Sequence, residues 1–226
     1  MADPLGLFPN SFMAKAVTLG QSRFYSGDGT YAVAATTWST NSADKGTNVV
    51  LSNNNLTATS GSAGTYAVRG TNGKTSGKWY FEITCTGTIS NSGVGICPGT
   101  ENIGGASTGP TAYMYPNIAN AFMFTSGGTN LGLCLPSALV SSDVLCVATD
   151  MTNKRFWVRK GNSIWNNSGT ANPTTNVGGF DLSAVFSGNL AAYPVVTFQA
   201  INLIHTANFG ATTFSQTIPS GFTAWG

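Results

Sequence analysis

Charge is scarce in this chain of 226 residues: eight acids and ten bases make up 8% of it and leave a net charge of +2. Phosphate recognition needs several cations converging on one face. Only Lys154, Arg155, Arg159 and Lys160 gather in one stretch, and they read as the solvated ends of a hairpin rather than a nucleic-acid surface. Histidine occurs once, as His205, with Leu203, Ile204 and Ala207 around it and no acid nearby. A general base or metal ligand needs such company, so His205 reads as a hydrogen-bonded strand residue. The four cysteines (Cys85, Cys97, Cys134, Cys146) lack a Cys-x-x-Cys pair and a neighbouring histidine, which argues against a tetrahedral metal site. Buried free thiols are expected, with a Cys85–Cys97 or Cys134–Cys146 disulfide as the alternative.

Other absences narrow the chemistry further. No Gly-x-Ser-x-Gly elbow is present, and the stretches Ile103-Gly-Gly-Ala106 and Ser126-Gly-Gly-Thr129 lack the lysine and helix of a phosphate cradle. Glycoside hydrolysis requires two carboxyls on one concave face; no strand carries two acids at i, i+2, and Glu82, the best placed, has no partner in the sequence. No catalytic residue, metal or cofactor is expected. No apolar run is long enough to span a membrane, and the start of the chain lacks the basic and apolar regions of a signal peptide. The triplets Asn55-Leu-Thr57 and Asn166-Asn-Ser168 match the glycosylation pattern, at the frequency chance gives in so Asn- and Thr-rich a chain.

What remains is strand-rich. Hydrophobic residues are 42% of the chain, ample for one core, and 28 glycines supply turns. In Gly77 to Thr84, Trp79, Phe81, Ile83 and Cys85 alternate with Lys78, Tyr80, Glu82 and Thr84, the period of a half-buried antiparallel strand. From Asp143 to Lys160, Val144, Cys146 and Ala148 alternate with Leu145, Val147 and Thr149. Asp150-Met-Thr-Asn153 then turns the chain into Phe156 and Val158 alternating with Trp157 and Arg159, a hairpin. Only Phe180 to Phe186 hints at a helix.

These pieces, in this order, resemble the SPRY domain. The resemblance rests on Gly77-Lys-Trp-Tyr-Phe-Glu82, Val94-Gly-Ile-Cys97, Ser142-Asp-Val-Leu-Cys-Val-Ala-Thr-Asp150 with its return Arg155-Phe-Trp-Val-Arg-Lys-Gly161, Asn208-Phe-Gly210 and Pro219-Ser-Gly221. The leading segment, with Trp38, Asp44-Lys-Gly46, Val49-Val-Leu-Ser-Asn53, Leu56-Thr-Ala-Thr59 and Val68-Arg69, is similar to the opening strands of bacteriophage and bacterial variants. The family's middle Tyr-Gly-Tyr segment is matched only loosely by Tyr113-Met-Tyr115 and Ala121-Phe-Met-Phe124. The resemblance covers about residues 37 to 226 and implies an all-β, two-sheet antiparallel jelly-roll sandwich.

Residues 1–36 fall outside it. Leu5, Leu7, Phe8 and Phe12 are apolar but broken by Pro4, Gly6 and Pro9, which makes this an extended arm, with a hairpin around Gly27-Asp-Gly29. Burying those four side chains contributes about 1.5 to 3 kcal/mol each, enough to fasten the chain to a neighbour. Binding by the sandwich belongs to its loops, with Tyr113, Tyr115, Trp165, Asn166 and Asn167 combining aromatic faces with amides suited to sugar or peptide. The function expected is a non-enzymatic virion protein (head decoration, head fibre, or tail or fibre component) assembled in a host cytoplasm. It docks by its arm on capsid or tail proteins in several copies, and its loops contact a host glycan or protein. The alternatives are a cellular SPRY-type interaction adaptor and, last, a carbohydrate-active enzyme.

Overall fold

The computed structural model describes residues 23–25, 31–87, 92–101, 103, 112–116, 121–125 and 129–226. Its sixteen described strands are β1 (Arg23–Tyr25), β2 (Tyr31–Val33), β3 (Val49–Ser52), β4 (Thr57–Ser60), β5 (Tyr66–Arg69), β6 (Lys78–Thr86), β7 (Ser92–Pro98), β8 (Ala112–Pro116), β9 (Ala121–Thr125), β10 (Asn130–Leu135), β11 (Val144–Asp150), β12 (Arg155–Lys160), β13 (Phe180–Asp181), β14 (Ala192–Phe198), β15 (Ile204–Asn208) and β16 (Thr223–Ala224). One sheet runs β10-β9-β8-β7-β14-β5, the other β13-β12-β11-β6-β15-β4-β3, with β16 added parallel to β6. The predicted hairpin Asp143 to Lys160 is β11–β12, paired from Leu145↔Lys160 to Asp150↔Arg155. The loosely matched middle segment also forms strands, with Tyr113 opposite Phe124 and Tyr115 opposite Phe122.

Alternation along the strands places one set of side chains between the sheets. Phe81, Ile83 and Cys85 of β6, Leu145 and Val147 of β11, Phe156 and Val158 of β12, and Val196 and Phe198 of β14 form the main core with Trp38, Phe209 and Trp225. The two tryptophans bury their rings and keep their indole N–H groups bonded, Trp38 Nε1 donating to the Leu56 carbonyl at 2.9 Å and Trp225 Nε1 to that of Asn72 at 2.8 Å. All four cysteines are buried free thiols, and burial raises the pKa of each; Cys97 and Cys134 are pushed up to about 12.

Two expectations change. The opposite face of β6 is not open to solvent: Tyr80 and Glu82 are buried, because the stretch from Phe214 to Phe222 folds back over Tyr80, Cys146, Ala148 and Trp157 as a second apolar layer. No helix forms at Phe180 to Phe186. There β13 ends and a single turn follows, the Val185 and Phe186 N–H groups both donating to the Leu182 carbonyl. Near the start of the chain, β1 and β2 pair antiparallel, Arg23↔Val33 to Tyr25↔Tyr31. The Gly27-Asp-Gly29 turn and Leu5, Leu7, Phe8 and Phe12 of the arm lie outside the described residues.

Candidate functional site

The loop that carries Trp165, Asn166 and Asn167, residues 161–179, is described throughout. It leaves β12 and packs on that strand's free edge, where β13 is only two residues long and pairs with Arg155 and Phe156 alone. Asn166 continues the ladder with its side chain. Its Oδ1 accepts the Val158 N–H at 2.9 Å, and its Nδ2 donates to the Phe156 carbonyl at 3.2 Å and the Gly178 carbonyl at 2.8 Å. The backbone must turn sharply to aim that amide inward, and Asn166 does so at φ 49°, a left-handed conformation that asparagine tolerates better than most residues.

Trp165 drives the same loop into the second apolar layer. It is 8% exposed, packs with Tyr80, Trp157 and Phe222, and carries the Arg159 guanidinium 4.4 Å above its ring. Further along, Asn172 and Val177 exchange backbone hydrogen bonds at 2.9 and 3.0 Å, closing a small hairpin, and Trp157 Nε1 donates to the Val177 carbonyl at 2.8 Å. Gly179 follows because a Cβ there would stand 2.6 Å from the Trp157 ring. What the pinned loop turns outward is Ile164 (52% exposed), Val177 (46%), and the polar residues Asn172, Thr174, Thr175 and Asn176. Ile164 lies two residues before Asn166, and Asn166 bonds Gly178, next to Val177, so one side chain ties down the backbone near both apolar tips.

Several ionisable groups of the sandwich face inward or each other. Glu82, 3% exposed, accepts from Tyr80 Oη (2.9 Å) and the Gln216 N–H (2.8 Å) on Oε1, and from the Ser215 N–H (2.9 Å) and Ser215 Oγ (2.8 Å) on Oε2. Its carboxylate is the clasp of the fold-back segment. Asp150 accepts three hydrogen bonds from the turn that follows it. Asp44 pairs with Arg69 at 2.5 Å, Asp143 with Lys160 at 3.4 Å and Asp181 with Arg155 at 3.2 Å. The gathered cations therefore do not converge. Arg155 and Lys160 face separate carboxylates, while Arg159, expected at a solvated hairpin end, lies on Trp165 and donates to the Thr217 carbonyl at 2.9 Å.

Two antiparallel sheets with this arrangement occur in solved SPRY domains. The SPRY domain of human HERC1 is similar with a TM-score of 0.54 at 15% identity, over 73% of this chain and 94% of that one. The PSpry domain of TRIM65 gives 0.51 at 10% identity, over 76% and 91%. The fold is SPRY-type. No protein-family model matches the chain, and no curated protein matches its sequence.

Within this SPRY-type sandwich the residues proposed for ligand contact part company. Trp165 and Asn166 are buried in the fold, with no aromatic face and no amide donor left to offer, and the same bonds engage the amide of the Asn166-Asn-Ser168 triplet. Asn167 stays partly exposed beside them. Tyr113 and Tyr115 lie on β8 in the other sheet, and their side chains are outside the described set. Of the five, the described side chains are those of Trp165, Asn166 and Asn167. Sequence reasoning did not single out Ile164 and Val177, isolated apolar residues inside a polar loop that the structure leaves exposed. It also gave His205 a hydrogen bond; both ring nitrogens are buried without a partner.

Proposed function

We propose that the chain is a non-catalytic protein-interaction module that binds its partner through the outward patch of loop 161–179. One observation carries this reading: a loop locked by Asn166 and Trp165 turns two apolar side chains, Ile164 and Val177, into solvent among uncharged polar residues. A rigid presentation lowers the ordering cost of association, and apolar tips within a polar rim are what a protein surface recognises. The SPRY-type fold supports it, as do the carboxylates of Glu82 and Asp150, saturated by internal hydrogen bonds. An adaptor role fits these observations better than the virion role expected from the phage-type opening strands, the sparse charge and the leading arm.

The test is an Ile164→Asp, Val177→Asp double variant in a partner-binding assay. Binding falls at least tenfold while the melting temperature stays within a few degrees; equal binding by parent and variant removes the patch from the interface. The narrower reading, a virion component fastened by residues 1–36, draws on the sparse charge and on Leu5, Leu7, Phe8 and Phe12. Deleting residues 1–36 separates the two: an adaptor keeps its partner, whereas an arm-docked subunit no longer joins its assembly.

A further inference from the structure

His205 stands in the middle of β15, 1% exposed, its side chain on the same inward face as Ala207 of the main core. Its ring stacks on Phe198 of β14, with centroids 5.1 Å apart and planes inclined by 28°. Neither Nδ1 nor Nε2 has a hydrogen-bond partner. An imidazole in a core normally bonds at least one nitrogen, since buried polar atoms without partners are rare and costly. Here the two strands in register with it offer only Cys85 of β6 and Ala58 of β4.

The location matters because β14 belongs to one sheet and β15 to the other. The short turn between them, with Ile201 half exposed and Asn202 exposed, is the corner where the two layers join. It is held by the Asn202 N–H donating to the Ser60 carbonyl and the Ser60 N–H to the Leu203 carbonyl, each at 3.0 Å. Among the described residues no charged side chain compensates a proton on the ring. Facing it, β6 supplies the Cys85 thiol, kept protonated by burial, while β4 supplies Ala58 and β14 supplies Phe198. The carboxylate whose charge reaches Cys85 is that of Asp143, already paired with Lys160.

We propose that His205 is an acid-sensitive latch: protonation of its ring parts β14 from β15 and opens the sandwich at this corner, while the neutral ring keeps it closed. The direction follows from proton linkage. Burial lowers the ring's pKa to about 4 from 6.5, so between those values the opened form binds the proton and the closed form does not. The closed form is fully retained above pH 6.5 and loses ground as pH falls toward 4. At pH 5 the open-to-closed ratio rises by about 30-fold over its value at pH 8, and the limit at lower pH is about 300-fold.

A single histidine makes the test direct. Histidine-labelled protein is titrated by NMR from pH 8 to 4.5, and amide exchange is followed across β14 and β15 with intrinsic rates corrected. The ring is expected to stay neutral well below pH 6.5. Exchange across 192–208 is expected to speed up about 30-fold by pH 5, and His205→Leu or His205→Met is expected to abolish that acid dependence. Normal titration near pH 6.5 with unchanged protection overturns the proposal, as does acid loosening that persists in a folded variant. If neither variant folds, the parent's titration and exchange decide.

Discussion

Removing the Glu82 clasp should release the segment that covers the outer face of the eight-stranded sheet. The carboxylate holds four donors: the Tyr80 hydroxyl, the Ser215 hydroxyl and the Ser215 and Gln216 N–H groups. Net hydrogen bonds to a charged group are worth about 1.5 to 3 kcal/mol each, and neutral ones about 1. In Glu82→Gln one oxygen becomes an amide nitrogen facing two donors. A hydroxyl there can rotate and accept, but a backbone N–H cannot. That leaves one orphaned N–H and a lost charge assistance, a cost of about 2 kcal/mol. In Glu82→Ala all four bonds go, while the desolvation of a buried carboxylate is relieved; the balance is a loss of about 3 to 5 kcal/mol. That loss is capped where peeling back 214–222 becomes easier than keeping it docked. Against a domain stability of about 5 to 15 kcal/mol this is a large fraction. Urea titration measures the loss, and amide exchange at 215 and 216 locates it. A Glu82→Ala protein within 1 kcal/mol of the parent, with both amides still protected, would refute the clasp.

Asn166→Ala removes two hydrogen bonds from the edge of β12 and one from the Gly178 carbonyl, and leaves the buried Val158 N–H without an acceptor. A loss of about 2 to 4 kcal/mol is expected, with faster proteolysis inside 161–179, and an unchanged cleavage rate would show the loop is held otherwise. Gly179→Ala should strain the same loop because its Cβ meets the Trp157 ring, whereas Gly169→Ala has open space and should be neutral; indole fluorescence and melting temperature compare them. The four thiols, with pKa values raised by burial, should resist alkylation at pH 8 in the native protein and react in denaturant; rapid native labelling would contradict their burial.

The period of two along β6, β11 and β12 was readable because alternation is a local property, and it separates the core side, Phe81 and Val147, from the other side, Tyr80 and Ala148. That the other side is also covered was not readable. The covering segment meets Glu82 from 133 residues away, and no local pattern announces a contact at that separation. The loop shows the same limit. Trp165 and Asn166 have the residue types of a ligand site, yet a left-handed backbone at Asn166 turns its amide onto β12, and the apolar side chains the loop leaves exposed are Ile164 and Val177. His205 was placed correctly on a strand, but whether its nitrogens find partners depends on β4, β6 and β14, which only the assembled sheets bring to it.

Site-specific photo-crosslinking tests the interaction role most directly. A photoreactive amino acid is placed singly at position 164, at 177, and at 50, where Val50 is 58% exposed on β3, the edge strand opposite β13. Covalent capture of the same partner from 164 and 177, competed by unlabelled parent protein and absent from 50, is the expected result. Capture of that partner from 50 with none from 164 or 177 would contradict a recognition surface built on loop 161–179.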